Sequence, residues 1–158
     1  MKLIIKTLSI IVLISSSALF YSKSFSGVED LVNRQFPWLK GKVKLKEIPQ
    51  ENGKDVFIIQ TKKNKLFLNA SSNSAASRGL DWYIKHYAHQ SISHFGDNIS
   101  TLHQLPQVEK PVKKTSFVNY RYALNYCTIN YSFSFYTWKE WENELDWMAL
   151  NGVNIMLN

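Results

Sequence analysis

The stretch that decides the fold is Arg121–Leu157, RYALNYCTINYSFSFYTWKEWENELDWMALNGVNIML, near the C-terminal end of this 158-residue chain. It predicts a strand, a helix and the start of a second strand in direct succession. That order is the opening unit of a parallel β/α architecture, in which a helix joins two parallel strands. The few residues after Asn154 cannot close such a sheet. We therefore expect the chain to be the front end of a larger protein and to stop inside a truncated (β/α)8 barrel.

The helix of this unit has a marked beginning and end. Thr137, with Glu140 three residues later, forms a capping box, and Gly152 suits the left-handed residue that ends a helix. Apolar residues recur between them at offsets of three, four and seven, and this stripe is expected to pack on the barrel. Its members are Trp138, Trp141, Leu145, Met148 and Ala149.

The acidic residues of the same helix are predicted to be solvated and not catalytic. They are Glu140, Glu142, Glu144 and Asp146. Reactive groups in a β/α barrel project from the C-terminal ends of strands, where Asn125 and Cys127 lie two residues apart and leave the same face. A lone Cys most often fills apolar space, and an Asn at a strand end often satisfies loop backbone groups. Spacing alone therefore favours structural roles for both.

A dense set of residues in this stretch matches one known pattern. They are Arg121-Tyr122, Asn125, Cys127-Thr128, Tyr131-Ser132-Phe133, Trp138, Trp141-Glu142, Glu144 and Asp146 to Asn154. This pattern resembles the junction between the N-terminal domain and the catalytic barrel of the α-N-acetylglucosaminidases, glycoside hydrolase family 89. A weaker similarity to the helix of that family's N-terminal domain runs through Ala75-Ala76, Gly79-Leu80 and Tyr83-Ile84. The resemblance implies that Asn125 and Cys127 line the pocket for a terminal N-acetylglucosamine.

The resemblance also implies the reaction. The family hydrolyses terminal α-linked N-acetylglucosamine from glycans, acting on chain ends with retention. A retaining glycosidase uses two carboxylates about 5 Å apart, one as acid/base and one as nucleophile. In this family both stand on later barrel strands, so we expect this chain alone to be inactive and to supply scaffold and part of the sugar pocket. No catalytic residue, cofactor or metal ligand is predicted within it.

Residues 1–24, MKLIIKTLSIIVLISSSALFYSKS, have the layout of a secretory signal peptide: a basic start, an apolar core and a Ser-rich end. We expect cleavage between Ser17 and Ser24 and export to the periplasm or the medium. An uncleaved membrane anchor is the alternative, because a spanning helix needs about 20 apolar residues. Cys127 is the only cysteine, so no intrachain disulfide can form.

Residues 25–106 are predicted to form a small α+β domain. Ser26 and Glu29 suggest a capping box for a first helix that Pro37 closes. Residues 107–118 are predicted to be an exposed linker, and residues 119–158 the start of the barrel. Further predictions are strands at Lys42–Ile48, Val56–Gln60 and Lys65–Asn69, turns at Asn52-Gly53 and Lys63-Asn64, a helix at Ala75–His89, and short strands near Ile92–Phe95 and Leu102–Leu105.

The net charge of +7 is spread over lysines at residues 40–46, 62–65 and 110–114. None of these clusters is interleaved with stacking aromatics as a nucleic-acid groove requires, so solvated strand faces are favoured and no nucleic-acid partner is expected. Two alternatives to the glycosidase remain open. One is a non-catalytic carbohydrate-binding or packing module. The other is a basic peripheral protein on a membrane surface or an anionic polymer, whose binding would collapse with salt.

Overall fold

The computed structural model of the protein describes residues 25–94, 96–123 and 133–156. Within these ranges, no helix is long and apolar enough to cross a membrane. The helices are α1 (Ser26–Gln35), α2 (Asn73–His86) and α3 (Trp138–Leu150), with a short 3₁₀ helix at Pro37–Leu39. The strands are β1 (Val43–Glu47), β2 (Val56–Lys62), β3 (Lys65–Ala70), β4 (Val112–Thr115), β5 (Tyr122–Ala123) and β6 (Ile155–Met156). The predicted α+β class is confirmed.

Strands β1 to β4 form one sheet in the order β1-β3-β2-β4. β1 runs parallel to β3, whereas β2 is antiparallel to both of its neighbours. Both predicted turns are present, since Asn52 and Gly53 have φ of 51° and 71°, and Lys63 and Asn64 have φ of 48° and 55°. Two consecutive left-handed residues give a type I′ turn, whose twist matches that of the strands it joins.

The core lies between one face of this sheet and the helices α1 and α2. Alternate residues of the strands point toward the helices and are fully buried, as Ile59 and Leu68 illustrate. Gly79 of α2 sits where the helix crosses β2, and a Cβ at this position would lie 3.0 Å from the ring of Phe57. The missing side chain therefore lets α2 approach the sheet closely.

The segment predicted as an exposed linker, residues 107–118, instead contains β4, the edge strand of the sheet. Its backbone pairs with β2, and Val108 is buried with its N–H donating to Thr61 Oγ1 at 2.7 Å. Lys113 and Lys114 are exposed, which is why the sequence suggested a linker. Edge strands often carry lysines, because charge discourages pairing with a further strand.

Two smaller predictions are also wrong. Residues 91–94 and 96–105 contain no strand, only one bridge between Ser91 and Asn98. Side chains hold this loop instead of a ladder, since Gln90 Nε2 donates to the carbonyl of Ser100 at 2.8 Å. At the start of α1, Phe25 is the N-cap residue and Ser26 is already helical, so the predicted capping box does not form.

The predicted strand, helix and strand near the C-terminal end are present. β5 and β6 pair in parallel, Tyr122 with Ile155 and Ala123 with Met156. The capping box of α3 is confirmed, because the Glu140 carboxylate accepts from the N–H of Thr137 at 2.6 Å. At its other end Gly152 has a φ of 77° and Val153 N–H donates to the carbonyl of Met148 at 3.0 Å. That bond and the one from Gly152 N–H to Ala149 form a Schellman motif.

Candidate functional site

The candidate sugar pocket belongs to the edge at which β5 and β6 end. In a parallel pair both carboxyl ends lie at the same edge, which is where barrel enzymes carry their sites. Asn125 and Cys127 follow β5 directly, but residues 124–132 lie outside the described residues, so their predicted contact with a sugar stays a prediction. The described residues show how the two strands that lead to this edge are held.

Arg121, the residue before β5, is the centre of that support. Each of its three guanidinium nitrogens donates hydrogen bonds, and its side chain is only 20% exposed. Nε donates to the carbonyl of Gly152 at 2.6 Å, which ties β5 to the end of α3. The other partners are Asp55 and Ser74 of the N-terminal domain and Ser116, Val118 and Asn119 of the connecting segment.

Asp55 supplies the negative charge that Arg121 needs. It lies just before β2 and its side chain is 9% exposed. Ser71 Oγ donates to its Oδ1 at 3.1 Å, and Gln50 Nε2 donates to the same oxygen at 3.3 Å. Burial raises the pKa of Asp55, but hydrogen bonds from Arg121 and its polar neighbours outweigh burial and hold the pKa below its ordinary value. The carboxylate is therefore charged at neutral pH and is committed to structure.

Asn154 aligns the two barrel strands. Its Oδ1 accepts from the backbone N–H of Arg121 at 2.8 Å, and its Nδ2 donates to the carbonyl of Asn119 at 2.7 Å. The backbone N–H groups of Asn154 and Ile155 donate to the carbonyl of Arg121 at 3.0 and 3.2 Å. Ser74 adds a contact from α2, since its Oγ donates to the carbonyl of Gly152 at 2.9 Å. The register of β5 and β6 is thus fixed by side chains as well as by the ladder.

The prediction that all four acidic residues of α3 are solvated is wrong for two of them. Glu144 and Asp146 are 6% and 4% exposed and are not solvated. The physical reason is that α3 packs on the N-terminal domain, where Leu150 joins the core, Arg34 pairs with Asp146 and His94 contacts Glu144. Arg34 of α1 donates to both carboxylate oxygens of Asp146, from Nε at 3.0 Å and from Nη2 at 2.6 Å. The Asp146 hydrogen bond raises the pKa of Arg34.

His94 makes a second set of contacts with α3, to Glu144 and to Trp147. His94 Nε2 lies 3.0 Å from Glu144 Oε2, and the His94 ring lies 4.2 Å from that of Trp147. The other two acids behave nearly as predicted, since Glu140 caps the helix and Glu142 is half-buried between Lys139 and Arg34. Each of the four carboxylates has a structural partner, so none is assigned acid/base chemistry.

An aromatic cluster lies at the start of α3. The ring of Phe133 lies 4.5 Å from that of Tyr136 and 5.2 Å from that of Trp141. Tyr136 and Trp141 meet edge to face at 5.8 Å. These contacts pack Phe133 and Tyr136 on the first turn of α3.

Two clefts flank this unit. The first, of about 370 Å³, is mainly apolar and lies between the N-terminal domain and the barrel segment, with Phe57, Trp82 and Phe117 in its wall. The second, of about 430 Å³, is lined by His94, Glu140 and Glu144. Both carboxylates already have partners, because Glu144 contacts His94 and Glu140 accepts from the N–H of Thr137. Among the described residues, no group of three His, Cys, Asp or Glu side chains is arranged to hold a metal ion.

Comparison with known proteins places these contacts at a domain junction. The α-N-acetylglucosaminidase (NAGLU) N-terminal domain matches residues 26–107, and the NAGLU TIM-barrel domain matches residues 121–158. Human α-N-acetylglucosaminidase is 36% identical over 90 residues, which are 57% of this chain and 12% of that protein.

Solved structures of a family 89 glycoside hydrolase also resemble this chain. The family 89 glycoside hydrolase from Clostridium perfringens, in a variant with two Glu-to-Gln substitutions and in complex with its substrate GlcNAc-α-1,4-galactose, superposes with a TM-score of 0.80 at 31% identity. The same values hold for its complex with 2-acetamido-1,2-dideoxynojirmycin. The match covers 85% of this chain and 16% of that protein. The chain thus spans less than a fifth of the length of either relative.

We predict that Asp55→Asn lowers the free energy of unfolding at pH 7 by about 1 to 3 kcal/mol, because Arg121 is left without its charged partner. The folded-state pKa of Asp55 is depressed, so its stabilisation is complete above the ordinary Asp pKa, about 3.9, and is lost as pH falls through the folded value. The difference between wild type and variant should therefore shrink toward pH 3. Urea unfolding at both pH values measures it.

The control for that experiment is Glu109→Gln, which removes one carboxylate from an exposed position of the segment that precedes β4. It should change stability by less than about 0.5 kcal/mol at either pH. An Asp55→Asn cost that matches the control, or that stays constant down to pH 3, would show that the Arg121–Asp55 pair is not stabilising.

Proposed function

Since this chain belongs to the α-N-acetylglucosaminidase family, we propose that it is the N-terminal portion of an exo-acting glycosidase that removes terminal α-linked N-acetylglucosamine from glycans with retention. The observation that carries the proposal is the junction itself. The match to the N-terminal domain ends at residue 107, the match to the barrel begins at residue 121, and Arg121 bonds to both parts.

The role of the described residues in this reaction is to position and not to react. Arg121 and Asn154 fix the strands that lead to the pocket, and Phe133 packs on Tyr136 and on Trp141 in the first turn of α3. The acid/base and nucleophile are proposed to come from later strands as two carboxylates about 5 Å apart. A relative that holds its substrate after two Glu-to-Gln substitutions supports such a pair.

Export is part of the proposal. The basic start, apolar core and Ser-rich end of residues 1–24 support a cleaved leader, which would place the protein in the periplasm or the medium. N-terminal sequencing of the exported protein should find its first residue between positions 18 and 25. A mature protein that still begins at Met1 would favour the uncleaved anchor.

The direct test is hydrolysis of an aryl α-N-acetylglucosaminide by the full-length protein that carries this chain. We predict turnover of the α-anomer and none of the β-anomer or of the α-glucoside. The 158-residue chain by itself should show no turnover, because general acid and nucleophilic assistance cannot come from Asn125 or Cys127. Full-length protein that is folded but inactive on the α-anomer would refute the proposal, as would turnover by the purified chain alone.

Asn125 and Cys127 are proposed to contact the sugar. In the full-length protein, Asn125→Ala should lower kcat/KM by an amount equivalent to about 1 to 3 kcal/mol, because a sugar hydroxyl is left unpaired in a desolvated pocket. Cys127→Ser should have a milder effect than Cys127→Phe, which fills the pocket. Melting temperatures measured in parallel distinguish a residue that contacts the sugar from one that only stabilises the fold. A lowered melting temperature with unchanged kcat/KM of the folded fraction would make Asn125 a structural strand-end residue.

A further inference from the structure

The face of the β1–β4 sheet that turns away from α1 and α2 carries no covering element in the described part of the chain. Residues of β1, β3 and β2 alternate, and those pointing to this face include the exposed Lys44, Lys46 and Phe67. Phe67 is 40% exposed, so its ring is open to solvent. We call this the lysine face.

The register of the strands arranges this face in rows. One row runs Lys44, Phe67 and Gln60 across three strands. The next runs Lys46, Asn69, Ile58 and Lys113 across all four. A third places Lys65 directly opposite Lys62. Because strands lie about 4.8 Å apart and same-face residues about 6.7 Å apart, the rows form a patch roughly 14 Å on each side.

These rows contain five lysines and no carboxylate. Glu51 reaches in from a turn and pairs with Lys113. For Lys44, Lys46, Lys62 and Lys65, the described residues supply no carboxylate within ion-pair distance. Like charges directly opposite each other, as in Lys62 and Lys65, destabilise a sheet. An anion bound over the patch would remove that repulsion.

We propose that the lysine face binds an anionic polysaccharide, with the lysines meeting sulfate or carboxylate groups and the Asn69 amide meeting a hydroxyl. The amide nitrogen of Gln60 is already used within the protein, since it donates to the carbonyl of Glu109 at 3.5 Å. That the polymer is a glycan rests on the proposed function, since it would be the chain whose end the barrel trims. The face lies on the same domain as Asp55, and its edge strand β4 reaches β5 through residues 116–121, so a chain held here stays close to the barrel.

Other anionic partners fit this surface less well. A membrane-binding face needs a group of exposed apolar side chains to enter the lipid, whereas here Phe67 is exposed and Ile58 is half-buried. Single-stranded nucleic acid needs several aromatic rings on which bases stack, and these rows present one. A surface with spaced cations and an amide suits an extended, hydroxyl-rich and charged chain.

The test is binding of the 158-residue chain to dextran sulfate, with neutral dextran and phosphatidylserine vesicles as comparison probes. Lys44→Thr/Lys46→Thr should weaken dextran sulfate binding at least tenfold. The matched control Lys40→Thr/Lys139→Thr removes the same charge from exposed positions off this face and should change binding less than twofold. Circular dichroism checks that both double variants are folded, and Phe67→Ser provides a second probe of the face with the charge unchanged.

The outcomes separate this inference from the proposed function. Equal losses in both double variants would overturn the inference, because net charge and not the face would be responsible. Binding to vesicles but not to dextran sulfate would also overturn it. Sulfate-dependent binding through Lys44 and Lys46 supports it whether or not the full-length protein hydrolyses the aryl substrate. Hydrolysis without dextran sulfate binding would refute the inference alone.

Discussion

The interaction on which the rest of this structure depends is the multiple hydrogen bonding of Arg121. A guanidinium presents its donors in a rigid planar fork, so partners that surround it are fixed relative to one another. Here those partners belong to the N-terminal domain, to the connecting segment and to the end of α3. The first barrel strand is therefore placed by a residue whose charge is balanced 66 positions earlier in the chain, by Asp55.

The consequence is that the N-terminal domain helps to position the first strand and helix of the barrel segment. α3 has two functional faces, one expected to meet the barrel and one that meets α1, α2 and the loop carrying His94. Burying Glu144 and Asp146 would be costly without partners, and His94, Arg34 and Gln35 meet that requirement. Such a pairing disfavours any rotation of the helix, because a turn in either direction would leave a buried carboxylate uncompensated. The strands that lead to the candidate pocket are thus positioned by contacts from both the N-terminal domain and the barrel segment.

The sequence predicts the features whose causes are local. Thr137 with Glu140, Gly152, and the paired turn residues Asn52-Gly53 and Lys63-Asn64 act within a few positions, and the structure confirms them. It misassigns features that distant residues decide. Asp146 looks solvated until Arg34, more than 100 positions away, is placed beside it, and Glu144 looks solvated until His94 is placed beside it. β4 looks like a linker because its lysines are exposed, while its place in the sheet depends on backbone pairing with β2.

The residues at the junction were hardest to identify. No spacing links Arg121 to Asp55, and the family resemblance includes Arg121 and Asn154 without giving them roles. The contact of Asn125 and Cys127 with a sugar rests on that resemblance and stays a prediction. The lysine clusters show the converse case, since three separate stretches that read as solvated strands are brought onto one sheet face by the register of β1 to β4.

The central claim is that the N-terminal domain and the first β/α unit form one cooperative body held at Arg121. Native-state amide hydrogen exchange of the 158-residue chain tests this most directly, with Met148 and Leu150 of α3 compared with Leu80 and Ile84 of α2. The account predicts that both pairs open with free energies within about 1 kcal/mol of each other, because Leu150 shares the core of Leu80 and Ile84 and Met148 is buried in the same helix as Leu150. Fast exchange at Met148 and Leu150, with α2 still protected, would contradict it.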